Sequence, residues 1–381
     1  MLPNHESIRE QFPFLKKFIY LDSAHYTPYP ARAVNKLNEF IKAFTTDYLN
    51  LSKVNIYEAR ALRETFAKLV NCDADDVIIT SNTTHGINIF ANGIQLDPKE
   101  NNVATLDSEF PAVVYPWLNQ EKLGRVNLML IPSDKGYANE AVIKRALMDY
   151  NIKVFTISYV QFLGYRHNIR SLSDFCKKRN ILLVVDAIQA TGVCPVDIEA
   201  MGIDFLCTGN QKWMMSPAGL GFTYISKQYR ELVAPTYVGT TNVNYDFDNF
   251  LNYNLNFKPG GETYENSTLN TLGMIGTNEA IKYFLELGVE NIFNHILDIQ
   301  NKLMELLDKS KYRIESDLSP NHRSDILIFS HVDINRNKEI QKNLEEKNIY
   351  IALREGYLRV SPHIYNNYED VESLAKELNS F

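Results

Sequence analysis

The chain has 381 residues, 45% hydrophobic and 22% charged, and 39 Lys plus Arg against 46 Asp plus Glu give a net charge of −7. That is ordinary globular composition, long enough to bury a large core without staples, and the length suggests roughly two to three domains. Mild acidity with no basic block argues against a nucleic-acid or anionic-membrane binder, and the apolar runs fall far short of the roughly 20 residues of a bilayer span.

In chain order, the opening MLPNHESIREQFPFLKKF has no basic-then-apolar leader pattern, and the chain is read as cytoplasmic. Residues 1–20 are expected to form a segment packing near a small C-terminal domain. A polar loop with His25 and Tyr26 follows. In IYEARALRETFAKLV, Ile56, Ala59, Leu62, Phe66 and Leu69 recur at helical spacing, and all are expected on its apolar face. DDVIIT reads as a strand ending at Thr80, after which Thr83 and Thr84 open a helix. NVATLD, NLMLIP, KVFTISYV and ILLVVD read as further short buried strands separated by helical or turn segments. Continuous apolar runs alternating with helices mark an α/β fold with a mostly parallel sheet covered on both faces.

After about residue 240 an Asn-, Gly- and Tyr-rich stretch reads as a connection, and a long helical pattern follows. DILIFSHV, NKEIQKNLEEKN, IYIALREGYLRVS and NYEDVESLAKELNSF then give strand, helix, strand, helix. We therefore expect a large α/β domain over residues 21–250, with a connection and a smaller α+β domain over 251–381. The cysteines at 72, 176, 194 and 207 have neither metal-ligand spacing nor disulfide-scaffold density, and no metal site emerges from the eight scattered histidines.

Residues 181–226 carry the chemistry. Asp186 ends a buried strand, where open α/β sheets place ligands, and a carboxylate there requires a cationic or hydrogen-bonding partner. Lys212 lies between an apolar run and a small-residue turn. Partial burial lowers a lysine's pKa and makes it a usable amine nucleophile. Thr83 and Thr84, at a helix N-terminus, suit an anion or a simple cap.

Taken together, DAIQATG, GIDFLCTGNQKW and PAGLGF resemble the cofactor segment of class V aminotransferases, which are fold type I pyridoxal-phosphate enzymes. The resemblance is to the branch containing cysteine desulfurases and isopenicillin N epimerase. It continues through YLDSAHYTPYP, SNTTHGIN, SEFPAVVYPW, SYVQFLGYRHNI and LREGYLRVSPHIYN. It implies pyridoxal 5'-phosphate as cofactor, an amino-acid substrate and a homodimer with shared active sites. Lys212 would form the Schiff base with the cofactor aldehyde and move the α-proton, and Asp186 would pair with the pyridine nitrogen. Gln189 and Gln161 would stand near the phenolic oxygen. Thr83, Thr84, Thr208 and Gln211 would hold the phosphate, Gln211 replacing the histidine of most relatives. Phe110 would stack on the ring, where many relatives have histidine, and it cannot move a proton. Thr268, with Thr263 as a competing choice, would reach the phosphate across the dimer interface. A guanidinium suits the substrate carboxylate, and Arg359 ranks slightly ahead of Arg354. His25 and Tyr26 match a substrate loop of smaller residues and would narrow the pocket.

The resemblance implies transamination as the first reading and a lyase or epimerase as the second. Persulfide chemistry needs a mobile thiolate late in the chain, and no cysteine follows Cys207.

Overall fold

The computed structural model describes residues 2, 4–246, 248–249 and 251–381. In chain order its strands are β1 (Ile19–Tyr20), β2 (Val77–Thr80), β3 (Asn102–Leu106), β4 (Asn127–Ile131), β5 (Val154–Ser158), β6 (Leu182–Asp186) and β7 (Phe205–Gly209). They continue as β8 (Gly221–Ile225), β9 (Tyr312–Ile314), β10 (Leu327–His331), β11 (Ile349–Tyr350), β12 (Ala352–Arg354) and β13 (Tyr357–Val360).

β2 to β8 form one sheet in the order β2-β8-β7-β6-β5-β3-β4. β7, β6, β5, β3 and β4 run parallel, and β8 is antiparallel to both neighbours. β8 reverses because residues 210–220, which join it to β7, contain no crossover helix. The central strands are buried throughout, as their unbroken apolar runs require, whereas β4 at the sheet edge exposes Asn127 and Leu130. The helices Leu51–Val70 and Thr271–Leu287 pack together, and Phe66 stacks on Phe222 of β8 at 3.9 Å. Ile56 departs from the expected apolar face: it is 68% exposed, on the first turns of its helix beyond the reach of the sheet.

The C-terminal region forms an antiparallel sheet in the order β12-β13-β10-β9. The segment IYIALREGYLRVS, read from sequence as one strand, folds into β11, β12 and β13. Glu355 and Gly356 both take positive φ, 48° and 82°, and join β12 to β13 in a two-residue turn that pairs Arg354 with Tyr357. This hairpin carries Arg354 on the edge strand β12 and Arg359 on β13 beside it.

The chain's beginning is tied to this region. β1 pairs in parallel with β11, and Arg9 binds Asp370 at 2.9 Å and the Tyr365 carbonyl at 2.6 Å. The loop after β1 then crosses to the large sheet, where the Thr27 hydroxyl donates to the Lys212 carbonyl.

Candidate active site

Beyond the C-terminal ends of β5, β6 and β7 lies a cleft of about 530 Å³, where ligands bind in open α/β sheets. His25, Thr83, Thr84, Phe110, Asp186, Gln189, Gln211, Lys212, Arg354 and Arg359 all line it, together with Tyr26. They come from the β1 loop, the large sheet and the β12–β13 hairpin, segments separated by up to 334 residues (359 − 25).

Lys212 is partly buried on the turn after β7. Its carbonyl accepts from Thr27 and from the Met215 amide, and Met215 itself takes a positive φ of 49°. Burial lowers the Lys212 pKa and the negative charge of Asp186 opposes that shift, while Arg359 and Arg354 add to it. Asp186, 2% exposed, is raised by burial against the Ile188 amide, which donates to Oδ1 at 2.9 Å, and against the charge of Lys212. Each group is thus moved toward its neutral form, and each depends on the other for its charge.

The anion end is built on the helix Thr83–Gly93. Asn82 is the N-cap, its side chain accepting from the His85 amide, so neither threonine is spent on capping. Thr83 Oγ1 is buried with no partner, and so is Gln211 Oε1. Both converge on Gly209, where an added Cβ would lie 2.6 Å from Gln211 Oε1 and 3.3 Å from Thr83 Oγ1. The unpartnered buried Thr83 hydroxyl at a helix N-terminus fits a phosphate, and Gln211 would donate to it through Nε2, not through its acceptor Oε1.

Phe110 is 43% exposed, its ring 5.9 Å from that of Phe162 and 5.5 Å from Lys212 Nζ, so it faces the cleft rather than the core. Gln189 lines the cleft with its amide largely engaged: Nε2 donates to the Ala24 carbonyl at 3.1 Å, and Oε1 accepts from Trp213 at 2.8 Å.

Three expected residues lie elsewhere in the single chain. Gln161 is fully buried and is not among the lining residues; its Nε2 donates to Glu109 at 2.7 Å while its Oε1 has no partner. Thr208 is buried within β7 and donates to the Gly209 carbonyl. Thr268 is exposed beside a separate cavity with Ser81 and His85, and the competing Thr263 donates to the Lys258 carbonyl. In a buried strand only one side-chain face reaches the cleft, which sequence order does not reveal for Thr208.

Three acidic participants escape the sequence reading. Asp22 holds Arg359, Oδ1 accepting from Nη2 at 3.0 Å, and the Phe162 carbonyl accepts from Nη1 at 3.1 Å. Glu109, beside Phe110, accepts from the Ser158 amide and hydroxyl and from Gln161, and burial pushes it up to about 7 against those bonds. Glu355 stands at the rim. A lone Asp or Glu carries no sequence signal for such pairing.

A lysine amine, a buried carboxylate, a stacking ring and a helix-borne anion site around one cleft on this sheet define a fold type I pyridoxal-phosphate enzyme. The chain belongs to the aminotransferase class-V family, whose model matches residues 19–374. Pyridoxal phosphate is accordingly its cofactor. A probable cysteine desulfurase of Methanothermobacter thermautotrophicus is 26% identical, the match covering 98% of this chain and 97% of that one. An uncharacterized aminotransferase of Schizosaccharomyces pombe is 24% identical over 98% of this chain and 95% of its own length. Among solved structures, the apo cysteine desulfurase of Thermococcus onnurineus superposes with a TM-score of 0.88 at 20% identity, covering 100% of this chain and 98% of that one. A cystine C–S lyase solved with cysteine persulfide gives 0.87 at 20% identity, covering 97% and 100%.

Proposed function

We propose that this chain catalyses a pyridoxal-phosphate reaction at the α-carbon of an amino acid, with transamination as the first reading. The observation that carries it is the pair Lys212 and Asp186 on one cleft floor, each biased toward neutrality by burial and each sustained by the other. When bound, the cofactor supplies an electron sink for the carbanion that deprotonation leaves. Lys212 holds the cofactor and moves the α-proton, and Asp186 keeps the ring nitrogen protonated. Thr83, Thr84 and Gln211 hold the phosphate, Phe110 covers the ring, and an arginine from the β12–β13 hairpin takes the carboxylate. Thr208 and Gln161 stand behind the lining, and Thr268 is proposed for the phosphate site of a second copy.

Persulfide transfer is not part of the proposal. No cysteine lines the cleft among the described residues, and burial pushes Cys72, Cys176, Cys194 and Cys207 each up to about 12. A second reading, elimination from the β-carbon, is favoured by the imidazole of His25 in the cleft. A homodimer is also proposed. It follows from the family resemblance, five apolar or aromatic side chains (Tyr48, Tyr57, Leu251, Tyr253 and Leu255) being 70–91% exposed in the single chain, and a monomeric mass on sedimentation refutes it.

The decisive experiment is a spectral screen of the yellow holoenzyme against amino acids. Transamination leaves the amine form of the cofactor, and elimination restores the starting spectrum. Borohydride should fix the cofactor on Lys212; a Lys212→Ala protein that still takes the label refutes the assignment.

A further inference from the structure

The cleft must move protons, and besides Lys212 the lining groups able to do so are His25, Tyr26 and Glu355. Arginine keeps its proton at any physiological pH, Phe110 has none to give, and Asp186 is committed beneath the ring. Apart from Lys212, the one imidazole lining the cleft among the described residues is that of His25.

His25 stands at the mouth with its side chain 57% exposed, and its Nδ1 lies 3.6 Å from Asp22 Oδ2. Asp22 is fixed in turn. Its other oxygen accepts from Arg359 at 3.0 Å, and the Ser23 amide next to it donates to the Ser361 carbonyl at 3.0 Å. Tyr26 braces the imidazole edge-on, the rings 5.3 Å apart at 82°. With Nδ1 turned to Asp22, Nε2 has no protein partner among the described residues and is left for a bound molecule. At 3.6 Å this is an ion-pair separation rather than a hydrogen bond, and a closure of a few tenths of an ångström would let the carboxylate orient the imidazole for proton transfer. The charged groups facing the ring are Asp22, Arg354, Arg359 and Lys212. Burial and the three cations lower its pKa while Asp22 raises it, leaving it below the ordinary value of 6.5.

We propose that His25, oriented by Asp22, is a second proton-transfer residue of this cleft, one that protonates the group leaving the substrate's β-carbon. The inference rests on the elimination reading. Lys212 accepts the α-proton; the bond from Cβ to the leaving group breaks and its electron pair departs with that group. The imidazolium form of His25 gives its Nε2 proton to the departing group and becomes the neutral ring with its remaining proton on Nδ1, the α- and β-carbons become doubly bonded, and solvent reprotonates Nε2.

The test compares two substrates of the holoenzyme. Chloride leaves β-chloro-L-alanine without a proton, whereas methanethiol leaves S-methyl-L-cysteine best with one. His25→Gln should shift the ratio of their turnover by about 10²-fold in favour of the chloride, the usual scale of a lost general acid. Added imidazole should partly reverse the shift in His25→Ala. An unchanged ratio overturns the proposal, as does a loss that imidazole does not restore. A readout independent of turnover is the ¹⁵N spectrum of histidine-labelled wild-type protein, with the His25 signal identified by its absence in His25→Gln. The neutral ring should carry its proton on Nδ1, and a dominant Nε2–H form overturns the Asp22 orientation. If wild type eliminates neither substrate, the elimination reading fails and this role for His25 fails with it, while an Nδ1–H spectrum would leave only the orientation standing.

Discussion

Replacing Asp22 by Asn removes the only carboxylate that pairs with Arg359 among the described residues. Arg359 is 2% exposed, its Nε has no partner, and its remaining hydrogen bond goes to the Phe162 carbonyl. Removing one partner of a buried ion pair costs about 3–5 kcal/mol, because the other charge is left buried and uncompensated. The Asn carbonyl still accepts from Nη2, and retaining a hydrogen bond of about 1 kcal/mol lowers the expected loss to about 2–4 kcal/mol. The Asp22 side chain is only 13% exposed, so water offers little screening. At roughly 2 °C per kcal/mol for a chain of this size, the thermal midpoint should fall by about 4–8 °C, read at the first transition if two are resolved. Arg359→Met alone should also destabilise, by leaving Asp22 unpaired. The double variant should recover most of both losses, giving a coupling of about 2 kcal/mol or more. A fall of less than 1 °C in Asp22→Asn, or losses that simply add in the double variant, would refute the claim that the pair neutralises a buried charge.

Arg354 is partly exposed and makes no ion pair among the described residues, its Nη1 donating only to the Leu353 carbonyl. Arg354→Gln should therefore leave the thermal midpoint within about 1 °C. If this arginine contributes to carboxylate binding, KM for the amino acid should rise about tenfold with a smaller change in kcat, as loss of a charge-assisted bond implies; an unchanged KM assigns the carboxylate to Arg359 alone. Asp325 is fully buried with neither oxygen hydrogen-bonded, and burial pushes it up to about 8 from 3.8. Between those values the folded state keeps a proton that the unfolded state releases, so this group's contribution to stability is lost as pH rises through the window. Asp325→Asn should raise the midpoint more at pH 8 than at pH 5; an equal change at both refutes the assignment.

Much of the fold was legible because burial on both faces forces unbroken apolar strands, and helices between them must carry one apolar face. That logic located β2, β3, β4, β5 and β6 and the helices after residue 270. It gave no warning of β8, whose reversal follows from a helix-free connection, nor of the hairpin at Glu355 and Gly356. Ile56 had the right spacing and stayed exposed, because a periodic pattern marks an apolar face but not how far the neighbouring layer extends.

Local chemistry, readable residue by residue, identified Lys212 at a turn, Asp186 at a strand end and threonines at a helix N-terminus. These follow from chain order alone, since each is set by the element it terminates. Tertiary structure decided what those groups meet. Asn82 takes the cap and frees Thr83, Glu109 holds Gln161 away from the cleft surface, and Asp22 joins Arg359 to His25 across more than 330 residues. Such pairings depend on which side chains share a desolvated space, and in low dielectric a charge is determined by its nearest partner rather than by its neighbours in sequence.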